Sequence, residues 1–144
     1  VNKRWTIRLA HDENSNDGDH QDEILALSVL ASLADAQSPD SADIVVELID
    51  LYLVDASFRL AALKTAIDSA DTSGWKQAAH ALRGSSSTLG ARRVASYAGQ
   101  LEQTDCKDIA QSTFNILAHE FSNVRAAMLS ERQRRTQLAG ANKS

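Results

Sequence analysis

A single cysteine, Cys106, rules out an internal disulfide and leaves no second thiol for a Cys-based zinc site, so a reducing compartment, the cytoplasm, is expected. Proline is equally scarce. Pro39 stands alone and six glycines are spread over 144 residues, so long stretches run without the punctuation that a β-rich chain needs at its turns. Aromatic residues make up 5% of the chain against 43% hydrophobic residues, so the apolar content comes from Ala, Leu and other helix formers rather than from strand formers. A basic excess is missing too: the formal charge is −4 at pH 7, which argues against a general binder of nucleic acid or anionic membranes. No apolar run approaches the ~20 residues that span a bilayer, and the start lacks the basic-then-apolar pattern of a signal peptide. A soluble chain without membrane insertion is expected. It begins at Val1 and its one methionine is Met128, which suggests a piece of a longer, multi-domain polypeptide.

What is present is helical periodicity. Residues 1–20 read as a lead-in, with Trp5, Ile7 and Leu9 alternating with polar positions before an Asp/Asn/Gly-rich linker. From Asp22 to Ala36, Ile24, Leu27, Ala31 and Ala34 predict a short, mostly buried helix. Pro39 breaks the chain, and Asp40 or Ser41 is placed to cap a second helix. Val45, Leu48, Tyr52, Ala56, Leu60, Leu63 and Ile67 then recur at steps of three and four, predicting a long helix over about 41–70. Residues 71–74 supply a turn, with Thr72 or Ser73 as cap, and a third helix runs from about Trp75 to Leu89, where Gly90 ends it. Val94, Ala98 and Leu101 mark a fourth over about 91–105. Asp108 caps the last, which carries Phe114, Leu117, Phe121, Val124 and Met128 to the mid-130s, with a basic end at Arg132, Arg134 and Arg135. The expected fold is all-α: an antiparallel up-and-down four-helix bundle over residues 21–136, with an additional short N-terminal helix over one end and a tail at 137–144.

The chemistry gathers on the third helix. At ~100° per residue, Trp75, Ala78, Ala79, Leu82, Ser86 and Leu89 share one face, which turns His80 toward solvent. Lys76, Arg83, Gly84 and Ser87 lie on the side of His80. Glycine in a helix interior costs ~1 kcal/mol relative to alanine, and Gly84 leaves one flank of the imidazole bare. Two cations within a turn suit the charge of a phosphoryl group. Spacing alone fits equally well a solvated histidine among surface cations, with a glycine that eases helix packing.

The string His80-Ala81-Leu82-Arg83-Gly84-Ser85-Ser86-Ser87-Thr88-Leu89-Gly90-Ala91 resembles the phosphorylation motif of histidine phosphotransfer domains, His-x-Leu-Lys-Gly-Ser-Ser-x-x-Leu-Gly-Ala. One specified position differs, Arg83 standing for lysine: the charge is kept, but a planar fork replaces a compact ammonium. The long helix before the motif and the pair Leu101-Glu102 after it extend the similarity from about residue 41 to the mid-130s. The resemblance implies that His80 accepts a phosphoryl group on its outward ring nitrogen. It also implies that Glu102 hydrogen-bonds the other nitrogen and fixes the tautomer, whereas the residue alone reads equally as a solvated helix position. A ring nitrogen that presents its lone pair is itself the nucleophile, so no general base is required. The implied partners are response-regulator receiver domains, which bring the aspartate and Mg²⁺, and a sensor histidine kinase. No cofactor is expected on this chain.

Other candidates fail. The run Asp12-x-Asn14-x-Asn16 near His11 and His20 has Asp17 where a Ca²⁺ loop needs glycine. No Glu-x-x-His pair for a di-metal bundle exists, His119 lies off the apolar stripe, and no nearby histidine activates Cys106. Without a phosphate-cradling glycine loop, autokinase activity is not expected. Three readings stay open: a phosphorelay intermediate within a hybrid sensor kinase, which is favoured; the phosphoacceptor of a chemotaxis-type kinase; and a helical adaptor that keeps only the motif.

Overall fold

In the computed structural model, residues 43–142 are described, together with Ser32; the segment 22–36 expected to form the short first helix lies outside this range, apart from Ser32, as do the lead-in and linker. Four helices follow: α1 (Ile44–Asp68), α2 (Thr72–Thr88), α3 (Arg92–Gln103) and α4 (Lys107–Asn142). They pack as a closed ring, α1 on α2, α2 on α3, α3 on α4 and α4 back on α1. The joining segments 69–71, 89–91 and 104–106 are too short for anything but an antiparallel return.

Each turn has its own device. Asp43 caps α1, its Oδ1 accepting from the Val45 N–H at 2.9 Å. Asp71, rather than Thr72 or Ser73, caps α2, its Oδ1 accepting from the Gly74 N–H at 2.9 Å. The cap moves back because Ala70 takes a left-handed conformation, φ 57°, and closes α1 with the Asp71 N–H bonded to Ala66 O at 2.7 Å. A β-carbon at position 74 would meet the Asp71 carboxylate, so any other residue there would push the capping side chain aside. Gly90, at φ 85°, ends α2 as its place after Leu89 predicted. Asp108 is not a cap but lies inside the first turn of α4, because that helix already begins at Lys107. The α4 helix also runs on to Asn142 instead of stopping in the mid-130s.

The core is made largely by the predicted stripes, except that on α1 Leu48 and Leu60 are only partly buried and Ile49, outside the expected stripe, is fully buried. Val45, Ile49, Ala56, Leu63 and Ile67 of α1 meet Trp75, Ala79 and Leu82 of α2, Val94, Ala98 and Leu101 of α3, and Leu117, Val124 and Met128 of α4, all at 1% exposure or less. Fully burying each large side chain among these contributes ~1.5–3 kcal/mol. Two polar links cross the interior. Arg93 of α3 forms an ion pair with buried Glu120 of α4. Tyr52 of α1 and Ser86 of α2 are hydrogen-bonded through their hydroxyls at 2.8 Å. At the open end, Arg132 grips Asp50 through Nε at 2.8 Å and Nη2 at 3.2 Å, and Arg135 reaches Asp43 at 3.5 Å, so the last turns of α4 project past the start of α1.

Burial pushes the Tyr52 hydroxyl up to about 12, an effect only partly offset by its bond to Ser86. The folded state therefore holds this proton more tightly than the unfolded chain does. Its contribution is complete below about pH 10 and disappears as pH rises through 12, a loss on the order of 2–3 kcal/mol. Tyr52→Phe is expected to flatten the difference in urea stability between pH 9 and pH 11.5, measured by circular dichroism against the wild type.

Candidate functional site

The roll of α2 sets the site. Its buried residues, Trp75, Ala78, Ala79, Leu82 and Ser86, are those of the predicted face, and Leu89 beyond its end is buried as well. His80 is thereby turned outward, its side chain 70% exposed. Gly84 and Ser87 are exposed beside it, and a β-carbon built on Gly84 would meet nothing within 4 Å. Internal packing thus does not require glycine there.

On its other flank, α2 is tied to α3. Glu102, with only 15% of its side chain exposed, directs both carboxylate oxygens at α2. Oε2 is 2.9 Å from His80 Nδ1, and Oε1 is 2.8 Å from Arg83 Nε. The second contact is Coulombic: the Arg83 N–H does not point at Oε1, which has no aligned donor. A carboxylate only accepts, so in the neutral ring Nδ1 carries the hydrogen and Nε2 presents its lone pair to solvent. Arg83 reaches Glu102 by lying across Gly99 of α3, where a β-carbon would touch its Cδ at 3.5 Å.

One turn before His80, Lys76 Nζ lies 2.5 Å from Asp105 Oδ1, in the segment between α3 and α4. The indole of Trp75 donates to Thr104 O at 3.2 Å and fixes that segment against the start of α2. Thr72, Ser73, Lys76, Gln77 and His80 line a shallow open depression along the helix. The structure thus brings His80, Arg83 and Glu102 into one cluster and leaves Gly84 and Ser87 on the open flank. Lys76 is nearby but already ion-paired. Asp105 and the Trp75–Thr104 bond were not anticipated, since no periodicity links a turn residue to a helix so distant in sequence. His119 and Cys106 are exposed, and neither side chain is bonded to the cluster.

Fold and cluster together define a class: a helical bundle with an outward imidazole held by a carboxylate at one nitrogen and bare at the other. The family model of the Hpt domain matches residues 47–127, more than half of the chain, and the protein belongs to that family. A solved structure, histidine-containing phosphotransfer protein B from Pseudomonas aeruginosa PAO1, is 30% identical, with a TM-score of 0.71 over 78% of this chain and 97% of that one. No curated protein matches. Among the described residues, no helix is long and apolar enough to cross a membrane.

The hydrogen bond to Glu102 has a direct spectroscopic consequence. At a pH where the ring is neutral, ¹⁵N chemical shifts are expected to show His80 almost wholly in the Nδ1–H form. Glu102→Ala is expected to mix the two tautomers, and a wild-type ring already mixed would show that the bond does not orient it.

Proposed function

We propose that this chain is a phosphorelay intermediate that takes a phosphoryl group from a receiver aspartate onto His80 Nε2 and passes it to another receiver. The observation that carries this is the pairing of His80 Nδ1 with Glu102 at 2.9 Å on a side chain otherwise open to solvent. In the forward step the Nε2 lone pair forms the N–P bond as the aspartyl O–P bond breaks, its electron pair staying on the receiver's carboxylate. The ring becomes an imidazolium whose Nδ1 proton remains on the bond to Glu102, which a charge-assisted hydrogen bond stabilises. Attack by the next receiver's aspartate reverses these changes, so no co-reactant is consumed.

Stabilising a phosphoryl group in flight is mainly the work of metal ions and positioned cations. The Mg²⁺ is assigned to the receiver, and Arg83 and Lys76 are the cations of this chain. The bundle is a phosphocarrier rather than a kinase, supplying nucleophile and docking face. A sensor histidine kinase stands at the head of such a relay, in the cytoplasm or at its membrane boundary. Gly84 keeps the flank of His80 low enough for a receiver to approach in line.

Two outcomes test this. Incubation with a panel of phosphorylated receiver domains is expected to place an acid-labile label on the wild type, read by intact mass, and none on His80→Gln; a folded wild type that takes no label from any donor would leave only a binding module. Gly84→Gln is expected to raise stability by on the order of 0.5 kcal/mol, because a better helix former replaces glycine. It is expected also to slow transfer by about tenfold or more through misplacement of the partner. Transfer at the wild-type rate would remove the assigned reason for this glycine.

A further inference from the structure

The two cations nearest His80 on α2 are not idle. Arg83 is held by Glu102 and Lys76 by Asp105, so two carboxylates from α3 and the segment after it neutralise the charges that a phosphoryl group would seek. The two pairs differ in kind. Glu102 is largely buried and also holds His80, whereas the side chain of Asp105 is 78% exposed and that of Lys76 36%. An exposed pair of this sort is weak and yields to a stronger competitor. The competitor would arrive one helical turn away, within reach of the lysine stem, carrying up to two negative charges.

We propose that Asp105 is a positioning residue that acts through Lys76: it holds the ammonium away from His80 in the empty carrier, and phosphorylation draws Lys76 across to the phosphoryl oxygens. The inference rests on His80 as the phosphoacceptor. Asp105 sits where it does because the Trp75 indole bonds Thr104, the residue before it, and because the Cys106 N–H donates to Thr104 Oγ1 at 3.2 Å. Thr104 is thus anchored to α2, Asp105 follows it in a local turn closed on the same residue, and the side chain that a phosphoryl group would draw is the lysine's. Exchange of Lys76 between Asp105 and phosphate makes the carrier a weaker sink than its two cations alone would make it. A weak sink returns the group readily to the next receiver.

The test is the equilibrium of phosphoryl exchange between the carrier and one receiver domain, measured for the wild type, Asp105→Asn, Lys76→Gln and the double variant. Freeing Lys76 in Asp105→Asn is expected to shift the equilibrium toward the phosphorylated carrier by roughly two- to fivefold, the scale of an exposed ion pair. Lys76→Gln is expected to shift it the other way, and Asp105→Asn on that background to add little. The shift is expected to shrink in 1 M salt, where the Debye length is about 3 Å. An unchanged equilibrium in Asp105→Asn overturns the proposal. So does a shift of equal size on the Lys76→Gln background, since Asp105 would then act by simple repulsion. Loading with phosphoramidate separates this failure from that of the functional reading: a His80 that takes no phosphoryl group from phosphoramidate or from any receiver removes both.

Discussion

Everything at the surface of this bundle depends on how tightly one side of α2 is buried. Trp75, Ala79, Leu82 and Ser86 are essentially inaccessible, and the packing of α2 against α1 and α3 fixes the rotation of the helix about its own axis. Rolling α2 by even one residue step, ~100°, would bring His80 toward a neighbour and expose a tryptophan. The direction of the imidazole is therefore a property of the core. This is why an outward imidazole on a rigid helix needs no loop to present it, and why the Tyr52–Ser86 bond matters on the buried side: it adds a directional contact to apolar packing that is otherwise tolerant of small rotations.

The opposite constraint comes from charge. A site that receives a phosphoryl group wants cations, but cations close together on one helix repel each other when the site is empty. The chain places a carboxylate on the neighbouring element against each of them, Glu102 against Arg83 and Asp105 against Lys76. Only Glu102 is shared with the ring. One acidic residue thus orients the imidazole and restrains a cation, while the other meets only the cation. The gap at Gly84 completes the arrangement on the flank that carries no charge.

The bundle, the bounds of its inner helices and the outward histidine were legible because apolar spacing of three and four residues states directly which side of a helix is buried. The motif around His80 named the chemistry, and Glu102 came with it. What was not legible is relative height. Periodicity gives a face, but not the level at which two helices meet, so Tyr52 with Ser86, Arg93 with Glu120 and Lys76 with Asp105 came only with the structure. The caps shifted for a related reason. Thr72, Ser73 and Asp71 all have capping oxygens, and the choice among them was made by Ala70 adopting a left-handed turn that no glycine announced. At the far end, α4 runs past the expected stop, and the ion pairs of Arg132 with Asp50 and of Arg135 with Asp43 fix only the turns before the extension.

The indole of Trp75 is 1% exposed and is bonded to the segment that carries Asp105, one residue from Lys76 in the chain. It is therefore an optical probe already built into the molecule. A buried, hydrogen-bonded indole responds to changes in the field around it, and here that field includes the Lys76–Asp105 charge pair, one turn from His80. The chain's other tryptophan, Trp5, is distant in sequence, so replacing it with phenylalanine isolates the emission of Trp75. A change of charge at His80 then becomes visible in real time, without an added label.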